Sequence, residues 1–154
     1  LSAEQIEAGL VSYPGLAHRM ERIGEVNGVL YVNDSKATNP TSTAPALAAY
    51  PAIHWILGGL AKTDDLDACI PHYGNVVAAY AYGKDGPMLA ELLRPHVKVV
   101  EQSTLTEAVN VAASAAKAGE TVLLSPACAS QDQFRDFEHR GDTFRDAVAA
   151  LTKP

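Results

Sequence analysis

The sequence predicts an α/β fold: a Rossmann-like, mostly parallel sheet flanked by helices on both faces, with an N-terminal β-hairpin. Short apolar runs typical of buried strands alternate with segments of helical periodicity almost throughout the chain. Asn27-Gly28, the strongest two-residue hairpin signal in the sequence, separates two apolar runs near the N-terminus. The 154 residues are 47% hydrophobic and 19% charged, which is typical of one folded domain, and no repeat or linker divides them. We therefore expect residues 1–154 to form a single domain.

The hairpin is the first element that the sequence predicts with a clear signal. Residues 22–26 and 29–32 are its strands. Before it, residues 1–10 are amphipathic, which favours an origin within a longer polypeptide, and residues 13–15 are typical of a turn.

Strands and helices then alternate toward the C-terminus. A helix should begin at Asn39 or Thr41 as the cap, with Pro40 in its first turn, and end at Pro51. The next predicted elements are a strand at 53–57, a short helix at 64–70, a strand at 76–82, a helix from 85–87 to Pro95, a strand at 97–100, a helix from the capping box at 104–107 to Gly119, and a strand at 121–124.

The C-terminal tail carries aromatic and aliphatic residues at helical spacing. Phe134 and Phe137 are about one turn apart, and Phe144, Val148 and Leu151 follow at i, i+4 and i+7. The spacing predicts two amphipathic helices separated by Gly141.

Charge and cysteine content exclude several classes of function. A net charge of −6 provides no basic field for nucleic acid or an anionic membrane surface. No apolar run approaches a membrane span, and no signal peptide is recognisable. Cys69 and Cys128 lack the spacing of a zinc site or a disulfide framework, and no histidine set suggests a metal site. We expect a cytoplasmic protein.

Polar or glycine-rich segments follow four predicted strands, at residues 33–39, 58–65, 83–86 and 125–132. Ligands of such sheets bind beyond the carboxyl ends of the strands, where the βα loops meet. We expect the first, second and fourth segments to converge there.

The first two of these segments carry lysines suited to an anionic ligand. Asp34-Ser35-Lys36-Ala37-Thr38-Asn39 precedes a helix N-terminus, where free N–H groups favour a bound anion; the alternative is an ordinary polar loop with a capping residue. Lys62 follows Gly58-Gly59 and could meet the same anion, or could be a solvated surface lysine.

Other candidates are less specific. Small residues around Ser130 would let a ligand approach its hydroxyl, and Cys128 is better interpreted as a buried inert thiol than as a nucleophile, because no base or G-x-S-x-G spacing accompanies it. His18-Arg19 could contact a nucleotide or lie on the surface. Phe134 and Phe137 are interpreted as core residues, and Phe137 could lie at the rim of the site. The chain has no phosphate-binding loop of the G-x-x-x-x-G-K-[ST] type and no G-x-G-x-x-G, so phosphoryl chemistry would need another domain.

Several blocks together carry a family resemblance: His18-Arg19-Met20-Glu21, then residues 33–40, Gly58-Gly59 with Lys62, and residues 123–130 with their continuation through Asp132-Gln133-Phe134, Phe137-Glu138, Arg140-Gly141 and Phe144. They resemble the C-terminal domain of the Mur ligase family, in particular the members that add D-glutamate. The Asp-Asn-Pro-Arg signature of the members that add a diamino acid is absent. Thr63 stands where the family often has glycine, a departure beside Lys62.

The resemblance implies a reaction and a set of partners. ATP with Mg²⁺ phosphorylates the carboxylate of UDP-N-acetylmuramoyl-L-alanine, and the amine of D-glutamate attacks the acyl phosphate to form an amide. The family binds ATP, Mg²⁺ and the UDP group mainly through central and N-terminal domains, which this chain lacks. The resemblance further implies a monomer with small-molecule partners, bound by neither nucleic acid nor membrane.

It also implies roles for individual residues. Thr38, Lys62 and Ser130 would hold the carboxylates of D-glutamate, with the backbone of Phe137 at the pocket edge and Lys36 nearby as the catalytic candidate. Arg19, Asp34 and His18 would contact the phosphates, ribose and base of the nucleotide, respectively. Two alternatives stay open: another Mur or folylpolyglutamate-type amide ligase domain, and a non-catalytic α/β module that binds a small anion.

Overall fold

A six-stranded sheet organises the computed structural model, which describes residues 17–152. The strand order is β1-β2-β6-β3-β4-β5; β1 is antiparallel to β2, and the other neighbours are parallel. The strands are β1 (Glu21–Val26), β2 (Val29–Asn33), β3 (Ile53–Gly58), β4 (Val76–Tyr82), β5 (Lys98–Gln102) and β6 (Thr121–Leu124). The helices are α1 (Pro40–Ala49), a 3-10 helix (Asp67–Asn75), α2 (Gly86–Leu93), α3 (Leu105–Ala115) and α4 (Phe137–Ala150). This arrangement confirms the predicted fold class.

Local sequence signals set several of these elements. Asn27, at a φ of 54°, and Gly28 turn the chain between β1 and β2. Asn39 caps α1 by accepting a hydrogen bond from the N–H of Ser42 at 2.9 Å. Thr104 and Glu107 form the predicted capping box of α3.

Helices cover both faces of the sheet and bury a separate apolar cluster on each. One cluster packs α3 and α4 against the face that presents Tyr31, Tyr80 and Val122. The other packs α1, the 3-10 helix and α2 against the face that presents Trp55, Leu57 and Leu123. Burial on both faces explains why every residue of β3 and β6 is buried.

Two sequence predictions were wrong in detail. The tail forms one α-helix, α4, which runs through Gly141, and residues 131–136 form turns and bends. Residues 67–75 form a 3-10 helix instead of a short helix at 64–70. The amphipathic stretch at 1–10 and the turn at 13–15 lie outside the described residues. No helix between residues 17 and 152 is long and apolar enough to cross a bilayer.

Candidate functional site

Three polar segments meet at the carboxyl end of the sheet, because β2, β6 and β3 are consecutive neighbours. The N–H of Ala127 donates to the carbonyl of Ala37 at 3.0 Å, which ties the segment after β6 to the one after β2. Leu60 and Ala129 exchange two backbone hydrogen bonds of 2.9 Å, which tie the segment after β3 to the one after β6. The predicted convergence is confirmed. The last strand, β6, lies between β2 and β3, so the strand order changes direction at this junction. Open α/β sheets bind ligands at such a change of direction.

Thr38 and Lys62 come together across this junction. The ammonium of Lys62 donates to the hydroxyl of Thr38 at 3.2 Å, and the Lys62 side chain is exposed. An exposed ammonium beside a hydroxyl is a suitable pair of donors for a carboxylate.

Backbone geometry after β3 places Lys62 where it meets Thr38. Gly59 has a φ of 124°, and a Cβ there would lie 2.3 Å from the carbonyl oxygen of Ala129. The carboxylate of Asp85, which was predicted only to begin α2, accepts from the N–H of Ala61 at 2.7 Å. Glycine and Asp85 together fix the turn that precedes Lys62.

Ser130 and Cys128 lie on the segment after β6. Ser130 is 2% exposed and directly follows the pair of bonds between Ala129 and Leu60. Burial raises the pKa of Cys128 to about 12, so its thiol is protonated at neutral pH and unsuited to nucleophilic attack. The interpretation of Cys128 as an inert thiol is consistent with this.

Asp34 is a buried carboxylate, 3% exposed, at the end of β2. Its Oδ1 accepts from the N–H of Met20 at 3.0 Å, and its Oδ2 accepts from the hydroxyl of Ser125 at 2.7 Å. Burial raises the pKa of Asp34 to about 6, although these two bonds and the charge of Arg19 oppose the shift. Asp34 therefore holds the segment before β1 against the segment after β6.

His18, Lys36 and Phe137 form a second group beside Asp34. The His18 ring is edge-on to the Phe137 ring at 5.9 Å, and the Lys36 ammonium lies 5.9 Å from the centre of the same ring. His18 is 6% exposed and its Nδ1 lies 3.0 Å from the amide nitrogen of Asn33, so little of its ring is available to a ligand. Lys36 and Arg19 are exposed.

Arg140, for which no role was predicted, is completely buried at 0% exposure. Its Nε and Nη2 donate to the hydroxyl and the carbonyl of Ser35 at 2.9 and 2.7 Å, and its Nη1 donates to the carbonyl of Cys128 at 2.9 Å. The Ser35 hydroxyl donates in turn to the carbonyl of Phe137 at 2.6 Å. Burial lowers the pKa of Arg140, and the nearby Tyr82, Cys128 and Asp132 partly oppose this. Only the recurrence of Arg140-Gly141 in the family resemblance marked this residue beforehand.

Comparison with known proteins gives one family and many related chains. A sequence model described as the glutamate ligase domain of the Mur ligases matches residues 18–128. A UDP-N-acetylmuramoylalanine–D-glutamate ligase of Novosphingobium aromaticivorans is 61% identical over 150 residues, which are 97% of this chain and 34% of that protein. A ligase of the same name from Zymomonas mobilis is 55% identical over 152 residues, or 98% of this chain and 34% of that protein. The chain thus spans about a third of the length of these relatives.

A solved structure supports the fold at much lower identity. The bifunctional folylpolyglutamate synthase/dihydrofolate synthase of Yersinia pestis, complexed with AMPPNP and a Mn ion, superposes with a TM-score of 0.62. It is 21% identical, and the match covers 99% of this chain and 35% of that one.

Proposed function

This chain belongs to the Mur ligase family through its glutamate ligase domain, and from this we propose that it binds the incoming amino acid in an ATP-dependent amide ligase of peptidoglycan synthesis. The substrate that fits best is D-glutamate, added to UDP-N-acetylmuramoyl-L-alanine through an acyl phosphate. Relatives named for that reaction are 55% and 61% identical over nearly the whole chain. Since the chain spans about a third of the length of these relatives, we propose that other domains of the same polypeptide bind the UDP group and ATP and supply most of the ligands of Mg²⁺.

The observation that carries the proposal is the meeting of Lys62 and Thr38 at the junction of β2, β6 and β3. Glutamate is a dicarboxylate and needs charge-assisted donors. Lys62 and Thr38 supply an ammonium and a hydroxyl, and Ser130 follows the Leu60–Ala129 bonds that join the two loops. The N–H of Phe137, at the first position of α4, is one of the backbone donors that a helix leaves unused. We propose that these four residues hold the carboxylates.

Lys36 is exposed, and its ammonium lies 5.9 Å from the centre of the Phe137 ring. We propose that it places positive charge beside the reacting groups, which stabilises negative charge that develops as the amine attacks. The main contribution of this domain is to hold the amine in line with the activated carboxylate and to exclude water from it.

The nucleotide contacts proposed for Arg19, Asp34 and His18 have different support. Arg19 is exposed and can meet a phosphate. Each oxygen of Asp34 already accepts one hydrogen bond and the residue is 3% exposed, so its proposed nucleotide contact is limited to a ribose hydroxyl that donates to a remaining acceptor site. His18 is 6% exposed, so it can offer little of its ring to the base. ATP would supply the phosphoryl group that activates the carboxylate.

A reducing, cytoplasmic location and a monomeric state complete the proposal. Both cysteines of the sequence are free and buried, which suits a compartment that does not form disulfides.

The test is phosphate release by the full-length protein that contains this chain. With ATP and UDP-N-acetylmuramoyl-L-alanine, we expect release that depends on D-glutamate and not on L-glutamate or a diamino acid. Release that depends on one of the latter would instead identify another amide ligase of the superfamily. A binding module without catalysis would release no phosphate with any amino acid, and its gene would encode no Gly-Lys-Thr/Ser loop upstream.

A further inference from the structure

Arg140 connects three parts of the chain that carry proposed glutamate ligands. Its guanidinium binds Ser35, which precedes Lys36 and Thr38, and also the carbonyl of Cys128, which precedes Ser130. Through the Ser35 hydroxyl it reaches the carbonyl of Phe137. Ser35 and Arg140 are 105 positions apart in sequence, so these contacts hold distant segments together.

The chemistry of this contact is unusual for a purely structural residue. No ion pair between Arg140 and a carboxylate occurs in the part of the chain that the structure describes. The hydrogen bonds of its guanidinium go to neutral oxygens, and the nearby carboxylate of Asp132 offsets only part of the desolvation cost, which lowers the pKa of Arg140. An apolar side chain of similar size would often stabilise the fold as well. What an apolar side chain cannot do is fix three acceptors at once, which the rigid, planar fork of arginine does.

We propose that Arg140 is a positioning residue of the glutamate site: its buried guanidinium sets the distances between the loop of Lys36 and Thr38, the loop of Ser130, and the first turn of α4. Because its side chain is fully buried, Arg140 does not touch the substrate. This inference rests on the proposed function.

The test measures steady-state kinetics of Arg140→Lys in the full-length enzyme. Lysine keeps the charge but cannot reach all three acceptors, so the loops lose their fixed spacing. We expect the KM for D-glutamate to rise about tenfold or more, while the KM for ATP changes less than about twofold. A fold-change shared by both substrates, or an unchanged KM for D-glutamate, would overturn the proposal.

Ser35→Ala tests the same contact with a smaller change. It removes the hydroxyl between the Arg140 Nε and the Phe137 carbonyl but leaves the bonds of Arg140 to the two carbonyls. We expect a selective rise of about threefold in the KM for D-glutamate, and no further rise when Ser35→Ala is added to Arg140→Lys, because residues of one network are not additive. If Arg140→Lys fails to fold, Ser35→Ala alone decides: an unchanged KM contradicts the proposal.

Ile53→Val is the matched control for lost stability. Ile53 is fully buried at the start of β3, at the opposite end of the sheet from the site. We expect a lower Tm with an unchanged KM for D-glutamate; a KM that rises with the loss of Tm in all variants would show that Arg140 is only structural. If the unchanged enzyme shows no phosphate release that depends on D-glutamate, the proposed function fails, whatever Arg140 does.

Discussion

Asp34 couples the stability of this domain to pH, because its pKa is raised from 3.8 to about 6 by burial. Between these values the folded state binds more protons than the unfolded state, so the free energy of unfolding falls as the pH rises. The contribution of Asp34 is present in full below pH 4 and is lost as the pH passes 6. Two pKa units correspond to at most about 3 kcal/mol.

We expect Asp34→Asn to remove this dependence. Asparagine keeps an acceptor for the Ser125 hydroxyl but does not ionise. Urea unfolding of the two proteins between pH 4 and 7 gives the difference in their free energies of unfolding, in which the other titrating groups cancel. That difference should change with pH mainly below 6.5; a constant difference would mean that the pKa of Asp34 is not raised.

Lys62→Ala tests the proposed glutamate contact in the full-length enzyme. A hydrogen bond to a charged group contributes about 1.5–3 kcal/mol, so the KM for D-glutamate should rise tenfold or more. The KM for ATP should change little. Lys117→Ala is the control, because Lys117 is also exposed but lies just before the start of β6, away from the site. Equal losses for both substrates would remove Lys62 from the glutamate site.

The sequence predicted much of the proposed site, because its residues follow strands directly. Asp34, Lys62 and Ser130 lie after β2, β3 and β6, and parallel strands bring such loops together. The burial of His18 and the role of Arg140 were not predictable in this way. Arg140 lies within α4, and its partners are set by how that helix docks on the sheet, which no local pattern encodes.

The helix α4 contains Gly141, although glycine usually weakens a helix. A Cβ at Gly141 would lie 2.0 Å from the Nδ1 of His18 and 3.0 Å from the amide nitrogen of Asn33. The close approach of α4 to these side chains requires glycine, and the tertiary contact outweighs the helix propensity.

We therefore expect Gly141→Ala to destabilise the protein. Alanine gains about 1 kcal/mol of helix propensity, but the overlap with His18 should cost about 1–3 kcal/mol. Urea unfolding should show a net loss, whereas Asn110→Ala, at an exposed position of α3, should be neutral or stabilising. In a His18→Ala background the loss should disappear. A stabilising Gly141→Ala in the unchanged protein would contradict this account.

The elements that begin at a turn or capping signal in the sequence were predicted correctly, whereas the bounds and type of the 3-10 helix, which has no such signal, were not. Asn27-Gly28, Asn39 and the capping box at Thr104 act over two to four residues, and the structure confirms each. The 3-10 helix at residues 67–75 packs against α1, and the amide of its Asn75 donates to the carbonyl of Leu47 at 3.0 Å. Its position therefore depends on contacts that sequence periodicity does not report.

The strand order places the proposed site and divides the core into two layers. β6 returns between β2 and β3, so the loops of three neighbouring strands meet at one edge. The same insertion gives each face of the sheet its own apolar cluster. Two clusters that share one sheet should unfold together, because neither face can remain covered without the strands.

The two cysteines test whether the apolar cluster that contains them opens only when the whole chain unfolds. Cys69, on the 3-10 helix, and Cys128, after β6, are both 0% exposed in the same cluster, and burial raises the pKa of each to about 12. Neither thiol should react with a thiol reagent while the chain is folded. We expect both to be labelled at the same low rate, in Cys69→Ala and Cys128→Ala variants that each leave one thiol. In the limit where refolding is faster than labelling, that rate should rise with urea according to the m-value of global unfolding. A thiol labelled faster than the other, with little dependence on urea, would show that its part of the fold opens independently, and the chain would then not unfold as one unit.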